Sequence, residues 1–216
     1  MNSFLLFIGR ITCSVLFLIS VFVFRSNAQK FTEITPMAGY TLGETFATTD
    51  GYEVYIHDGF TWGGSIAFYP NEHFDVTLNY TRQETKVDFY DYFSSAYDNN
   101  IEASVNNITL GFDRNQPLKP GGTAFFGGIN LGAAGLEPKE NQYSGRWKFD
   151  FDLHLGAKIF PSPKIGIRLQ TGINFPVQYF GAAFTVGTGG SGAGVTASST
   201  ITQVYFLGGL IIRIEK

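Results

Sequence analysis

The segment from Trp147 to Ile159 alternates without interruption between apolar and polar or small side chains over thirteen residues. Because only a β-strand places successive side chains on opposite faces, this period of two predicts a strand. The segment is longer than an average strand of about 5 to 6 residues, and it reaches the roughly 9 to 11 residues that a tilted strand needs to cross a bilayer. One face carries Trp147, Phe149, Phe151, Leu153, Leu155, Ala157 and Ile159, and the other carries Lys148, Asp150, Asp152, His154 and Lys158.

The first 28 residues have the pattern of a secretory signal peptide. An apolar run over residues 11–24 follows Arg10, and small residues end at Ala28. The run is shorter than the roughly 20 residues of a spanning helix, although a retained anchor over residues 4–24 is the alternative. We therefore expect a signal peptide over residues 1–28, cleaved after Ala28, and one domain over residues 29–216. Cys13 is the only cysteine and lies in the signal, so the mature domain has no disulfide.

The composition favours a lipid-facing barrel. Charged residues make up 15% of the chain, against about 25% in typical domains, while aromatic residues reach 16% and 26 residues are glycine. Few charges with many aromatic residues suit a barrel whose exterior meets lipid. The net charge of −3 provides no basic surface for phosphates, so nucleic-acid partners are excluded.

Eight segments with period two follow one another along the chain, and the joins between them alternate between long and short. This alternation is typical of an antiparallel up-and-down barrel with both termini at one end. We therefore predict an all-β fold, an eight-stranded transmembrane β-barrel preceded by a signal peptide. The predicted strands cover about 34–42, 60–69, 73–86, 103–113, 123–133, 146–160, 165–175 and 200–214, and the long joins cover 43–59, 87–100, 134–145 and 177–199.

The C-terminal segment over residues 204–216, which contains most of the last predicted strand, resembles the closing strand of small outer-membrane barrels, although it ends in Glu215-Lys216 instead of an aromatic residue. Over the whole mature domain the pattern resembles the eight-stranded OmpA/OmpX-like family, especially its Bacteroidetes-type members. The resemblance implies a bacterial outer-membrane location, with outer-membrane lipid, lipopolysaccharide and the barrel-assembly machinery as partners. It also implies roles such as envelope integrity, adhesion or accessory service to a larger export or uptake complex.

If the apolar faces meet lipid, the charged side chains point into a lumen that is only wide enough for side chains. Because an unpaired ion out of water costs several kcal/mol, we expect these charges to pair and plug the lumen. The alternative is a narrow ion-conducting path, since lumen charges tune selectivity in wider barrels. The predicted lumen network consists of Asp75, Asp113, Lys148, Asp150, Asp152, His154, Lys158, Arg168 and Arg213.

Aromatic residues at the ends of the apolar faces predict two interfacial girdles. The girdle residues are Tyr40, Phe60, Trp62, Trp147 and Phe175 toward the long joins, and Phe68, Phe74, Phe112 and Phe160 toward the short turns. The first two long joins combine tyrosines with carboxylates, a mixture that suits contact with a surface protein or a glycan and is also ordinary for a solvated loop. The candidate contact residues there are Tyr52, Tyr55, Asp58, Tyr90, Tyr92 and Tyr97.

The sequence indicates neither catalysis nor a cofactor. An esterase would need a nucleophile and a histidine close to an acid, and no such spacing is present. His154 points into the predicted lumen while His57 and His73 fall at opposite ends, so no metal site is expected. The predicted function is therefore a structural or surface-interaction barrel, without enzymatic activity. A secreted lipocalin-like barrel that binds a small apolar ligand is a further alternative, and it requires the apolar faces to point inward.

Overall fold

The computed structural model describes residues 31–47, 52–91, 97–118, 122–139, 146–177, 179–187, 190–198 and 202–215. The expected signal peptide and its cleavage after Ala28 lie outside these residues. Within the described part of the chain, no helix is long and apolar enough to cross a membrane.

The described residues form twelve strands that alternate with turns and loops. They are β1 (Phe31–Thr41), β2 (Glu44–Ala47), β3 (Tyr52–Ile56), β4 (Gly59–Asn71), β5 (Phe74–Asp91), β6 (Tyr97–Pro117), β7 (Ala124–Pro138), β8 (Arg146–Ile159), β9 (Ile165–Val177), β10 (Tyr179–Gly187), β11 (Gly190–Ser198) and β12 (Gln203–Glu215).

Eight of these strands close into an antiparallel barrel in the order β1, β4, β5, β6, β7, β8, β9, β12. The ring is completed by β12 pairing with β1, from Phe31 opposite Glu215 to Thr41 opposite Tyr205. Short turns after β4, β6 and β8 lie at the same end as residues 31 and 215, which we call the short-turn end; the other is the long-loop end. The predicted eight-stranded up-and-down barrel is confirmed.

The joins at the long-loop end contain more strand than the sequence pattern predicted. The first predicted join, residues 43–59, contains β2 and β3, and β3 pairs with an extended β5. The second, residues 87–100, is mostly taken up by the ends of β5 and β6, and the fourth contains the hairpin β10–β11. Backbone hydrogen bonding continues wherever a neighbouring strand is in reach, even where the side-chain alternation is weak. The expectation of long irregular loops here was wrong.

The two faces of the barrel wall differ sharply in exposure. On β8, Phe149, Leu153 and Leu155 are 48%, 44% and 63% exposed, whereas Asp150 and Asp152 between them are 0% and 1% exposed. The apolar faces thus form the outside of the barrel and the charged faces line the lumen. The lipocalin-like alternative, which needs the opposite orientation, is wrong.

An apolar cluster lies at the long-loop end of the lumen. Along β6 the inward side chains are polar up to Asn107 and then become apolar at Val105 and Ala103, which are 6% and 0% exposed. They pack with residues from β3, β5 and β7, so β3 supplies two of the five residues of a small core and is not a solvated loop. The cluster consists of Val54, Ile56, Val87, Ala103 and Val105, with Leu136 packed against them.

Candidate functional site

The short-turn end of the lumen is closed by Arg213 and aromatic rings. The Arg213 guanidinium donates to Glu33 Oε1 from Nη2 at 2.8 Å and from Nε at 3.2 Å, which joins β12 to β1 across the closing seam. The guanidinium carbon lies 4.2 Å from the centre of the Phe31 ring and 3.9 Å from that of Phe160. Such contacts stabilise a cation that has lost water. One guanidinium between two rings therefore seals this end.

Lys158 forms the next layer of the lumen and is 1% exposed. Its ammonium donates to Asp75 Oδ2 at 3.0 Å, to Asn115 Oδ1 at 3.2 Å and to the Tyr69 hydroxyl, and it lies 3.7 Å from Glu33 Oε2. The ammonium also lies 5.0 Å from the ring centre of Tyr69. Because Asp75 and Glu33 belong to other strands, Lys158 connects walls on different sides of the lumen.

Above Lys158, Asp113 connects Arg168 to His154. Arg168 Nη2 donates to Asp113 Oδ2 at 3.1 Å, while His154 Nε2 lies 2.7 Å from Asp113 Oδ1. The other ring nitrogen of His154 lies 2.8 Å from Asp152 Oδ1, which also accepts from the Asn130 amide. Both ring nitrogens of a histidine are donors only in the imidazolium form, so this placement between two carboxylates suits a charged His154.

The structure thus brings seven of the nine predicted network residues into two groups of ion pairs: Asp75, Lys158 and Arg213 with Glu33 in one, and Asp113, Asp152, His154 and Arg168 in the other. The ring of Phe126 contacts both groups, with its centre 5.0 Å from the Lys158 ammonium and 4.1 Å from the Arg168 guanidinium carbon. Asp150 faces the lumen but makes no hydrogen bond to the described residues. Lys148 is exposed at the long-loop end and forms no ion pair with any described residue. The prediction is corrected here: Lys148 is not part of the network, because β8 at this height rises above the packed part of the lumen.

Several members of the network were missed from the sequence. Glu33 is 1% exposed and pairs with both Arg213 and Lys158, but the first strand was predicted to begin at Ile34. Glu33 has the same inward phase as Thr35 and Met37, and this shared phase was the sequence signal that could have predicted its place in the lumen. Neutral partners such as Tyr69 and Asn115 were also missed, because an uncharged inward residue looks the same in the sequence whether or not it binds an ion.

The aromatic girdle has seven of its nine predicted members on the outer surface, each between 43% and 55% exposed: Tyr40, Phe60, Trp62, Phe68, Phe74, Phe112 and Trp147. Phe175 is half-buried and stacks on Phe151 at 6.0 Å between ring centres. The predicted outward position of Phe160 is corrected by the structure. Phe160 follows Ile159, the last outward residue of β8, and its ring lies in the lumen against Arg213. The alternation of the strand already places an even-numbered residue of β8 inward.

A polar cluster marks the upper limit of the apolar band on the outside of the barrel. On β5 the outward residues change from Leu78 and Tyr80 to Arg82 and Glu84, which pair at 2.6 Å. Lys139 lies 3.3 Å from Glu84 Oε2 and 3.4 Å from Glu102 Oε2. Hydrogen bonds to these carboxylates raise the pKa of Lys139. Charges on the outer face therefore begin where β5, β6 and β7 leave the apolar band.

Four of the six candidate contact residues of the long-loop end lie on strands, and Asp58 lies between β3 and β4. Tyr55 of β3 is 37% exposed and packs edge-on against His57, and Asp58 accepts a hydrogen bond from the Tyr40 hydroxyl. Tyr90 is half-buried on β5. Tyr52 and Tyr97 belong to β3 and β6, with their side chains outside the described set, and Tyr92 lies outside the described residues altogether. Tyr52, Tyr55, Tyr90 and Tyr97 therefore belong to a sheet that continues the barrel wall.

A closed eight-stranded antiparallel barrel with an apolar exterior and a charged, filled interior defines the class of small transmembrane barrels. Comparison with solved structures agrees with this class. Neisserial surface protein A matches 84% of this chain and 96% of its own with a TM-score of 0.57 at 10% identity. The outer membrane protein OprG from Pseudomonas aeruginosa matches 87% of this chain and 98% of its own with a TM-score of 0.57 at 12% identity.

At these identities the similarity shows that the chain shares the fold of small outer-membrane barrels. No protein-family model matches the sequence. A search of curated proteins finds no match either.

Proposed function

We propose that this protein is a non-enzymatic barrel of the bacterial outer membrane, with a closed lumen and a structural or surface-interaction role. The observation that carries the proposal is the filling of the lumen. Between the Arg213 layer at the short-turn end and the apolar cluster at the long-loop end, the buried inward charges other than Asp150 pair across the interior. A lumen filled in this way leaves the rigid wall and its outer end as the parts that can act.

The membrane location is supported by the apolar band and its borders. Outward aliphatic residues are half exposed in the middle of the strands, including Leu110 at 47% and Leu169 at 51%. A soluble protein rarely exposes so large an apolar surface. Outer-membrane lipid and lipopolysaccharide are the partners that would cover this band, and the closing strand over residues 204–216 supports recognition by the barrel-assembly machinery and the Bacteroidetes-type resemblance. Fractionation of expressing cells, with the protein expected in the outer membrane and a heat-dependent shift in gel migration, tests the location.

Conductance across a planar bilayer tests the closed lumen. The purified wild-type barrel is expected to give no stable current steps, because ions cannot pass a lumen filled with bonded side chains. Stable ion-selective steps would contradict the closed-lumen role and favour the narrow channel instead. The matched variant is Arg213→Ala, which removes the guanidinium between two rings and is expected to admit water without opening the layers above it.

A surface role at the long-loop end is supported by two exposed side chains there, Tyr55 on β3 and Asp58 just after it. Binding of cells or surface glycans to the purified barrel in lipid discs, compared between the wild type and a Tyr55→Ser, Asp58→Asn variant, tests this role. Loss of binding in the variant with an unchanged unfolding midpoint is the expected result. Equal binding by both proteins would remove these residues from the contact surface.

A further inference from the structure

Asp150 is the carboxylate that the ion-pair network does not use. It lies on the inward face of β8, opposite Gly132 of β7 and Pro176 of β9, in the half of the lumen nearer the long loops. The residue is 0% exposed, and neither carboxylate oxygen has a hydrogen-bond partner among the described residues. A carboxylate taken out of water without compensation costs several kcal/mol, so Asp150 needs either a bound cation or a proton.

The structure supplies a cavity next to Asp150. It has a volume of about 30 Å³, enough for about two water molecules. Asp152 and Asn107 also line it, and each has one side-chain oxygen without a partner in the described structure, Oδ2 of Asp152 and Oδ1 of Asn107. Four oxygen atoms from three side chains thus border one small space and have no donor. The remaining polar lining consists of neutral groups such as Thr109 and Tyr205.

The lysine and arginine side chains in the lumen do not donate hydrogen bonds to these oxygens. Lys158 and Arg213 are bound to Asp75 and Glu33 near the short turns, and Arg168 is bound to Asp113. No lysine or arginine lines the cavity in the described structure. The one positive group that touches this region is His154, which binds the other oxygen of Asp152. The excess negative charge of the lumen is therefore concentrated at the cavity.

We propose that the cavity bordered by Asp150, Asp152 and Asn107 binds a hard metal cation, with Ca²⁺ as the best match. Carboxylate, amide and water oxygens are the ligands of Ca²⁺, which accepts six to eight of them in flexible geometry. Soft or borderline metals prefer sulfur or imidazole, and neither a cysteine nor a histidine is among the described residues that line this cavity. Asp150 and the free oxygen of Asp152 supply the anionic ligands, and neutral oxygens and water complete the shell.

The apolar cluster at the long-loop end and the Arg213 layer at the short-turn end slow the entry of an ion into the folded barrel. The cation is therefore supplied during refolding. Wild type is refolded in detergent with Ca²⁺ or with a chelator, free metal is removed by gel filtration, and calcium per chain is counted by elemental mass spectrometry. Chelator competition then gives the affinity.

The matched variants are Asp150→Asn, which keeps the size of the side chain, and Glu102→Gln, which removes a carboxylate that is exposed on the outer wall. Wild type and Glu102→Gln are expected to retain about one Ca²⁺ per chain. Asp150→Asn is expected to bind at least about tenfold more weakly, because even changes behind a metal ligand cost about 10- to 100-fold in affinity. Wild type without calcium, or equal binding by Asp150→Asn, would overturn the proposal.

A second measurement is the unfolding midpoint of the wild type with and without Ca²⁺. Because a cation that binds the folded state alone stabilises it by mass action, Ca²⁺ should raise the unfolding midpoint of wild type above its value in chelator. An unchanged midpoint would overturn the site. The site would also be overturned if the wild type showed an infrared band of a protonated carboxylic acid that Asp150→Asn lacks, because a proton would then occupy the place of the metal. A barrel that neither conducts nor binds Ca²⁺ would refute this site and leave the closed-lumen function intact.

Discussion

Replacing Lys158 by methionine tests whether the lumen charges depend on one another. Methionine keeps the volume of the lysine stem but removes an ammonium with four oxygen neighbours. Glu33 retains Arg213 and the Tyr69 hydroxyl, so it stays bonded. Asp75 keeps only the Asn115 amide on Oδ2, and its Oδ1 already has no partner in the described structure. The loss therefore falls mainly on Asp75, and leaving such a buried charge unpaired costs about 3–5 kcal/mol.

The assay is equilibrium unfolding of the refolded barrel in lipid vesicles by denaturant, followed by tryptophan fluorescence and by gel migration without heating. Lys148→Met is the matched control, since Lys148 lies on the same strand and is exposed. It is expected to change the free energy of unfolding by less than about 0.5 kcal/mol. The double variant Lys158→Met, Asp75→Asn should recover more than about half of the loss, because it removes the unpaired charge. A Lys158→Met barrel within about 1 kcal/mol of wild type would refute the reasoning.

Three further outcomes are expected. Leu155→Arg places a cation at the most exposed outward position of β8 and should cost about 2–4 kcal/mol in vesicles, where no loss would argue against contact with lipid. Gly128→Ala should reduce the yield of folded barrel on unheated gels, because its Cβ would overlap the Asp113 carboxylate, whereas Gly208→Ala should refold like wild type. Val54→Asp puts a charge into the apolar cluster and should speed hydrogen exchange in β3 while leaving the barrel strands protected; uniform protection would contradict the packing assigned to β3.

The strands of the barrel could be predicted because lipid and lumen impose opposite chemistry on alternate residues. On β8 each outward residue is apolar and most inward ones are charged, so the phase is unambiguous. The strands β2 and β3 escaped prediction because they are only four and five residues long and are flanked by glycine and aspartate. Val54 and Ile56 have the inward phase, but their burial depends on β5 and β6 continuing above the band. Tertiary pairing, and not local pattern, determines those strands.

The alternation also indicated that most of these charged residues face the lumen, but it could not indicate which of them contact one another. Lys158 contacts Asp75, which is 83 residues away on another strand. That meeting depends on the tilt and stagger of the strands, which fix the height of each residue in the lumen and do not appear in a period of two. The same gap explains Lys148, which has the inward phase but lies too high to be covered. Phase alone identifies a face, and height decides whether a residue on that face has neighbours.

The ion pair between Arg213 and Glu33 identifies the last step of folding. These residues lie 180 positions apart, at opposite ends of the described chain. Contacts between such distant residues form slowly, because a large loop must close first. Until β12 arrives, Glu33 has no guanidinium and β1 has one free edge, so the carboxylates gathered inside must stay hydrated. Expulsion of that water coincides with the docking of the final strand, which makes closure of the wall and drying of the interior a single late step.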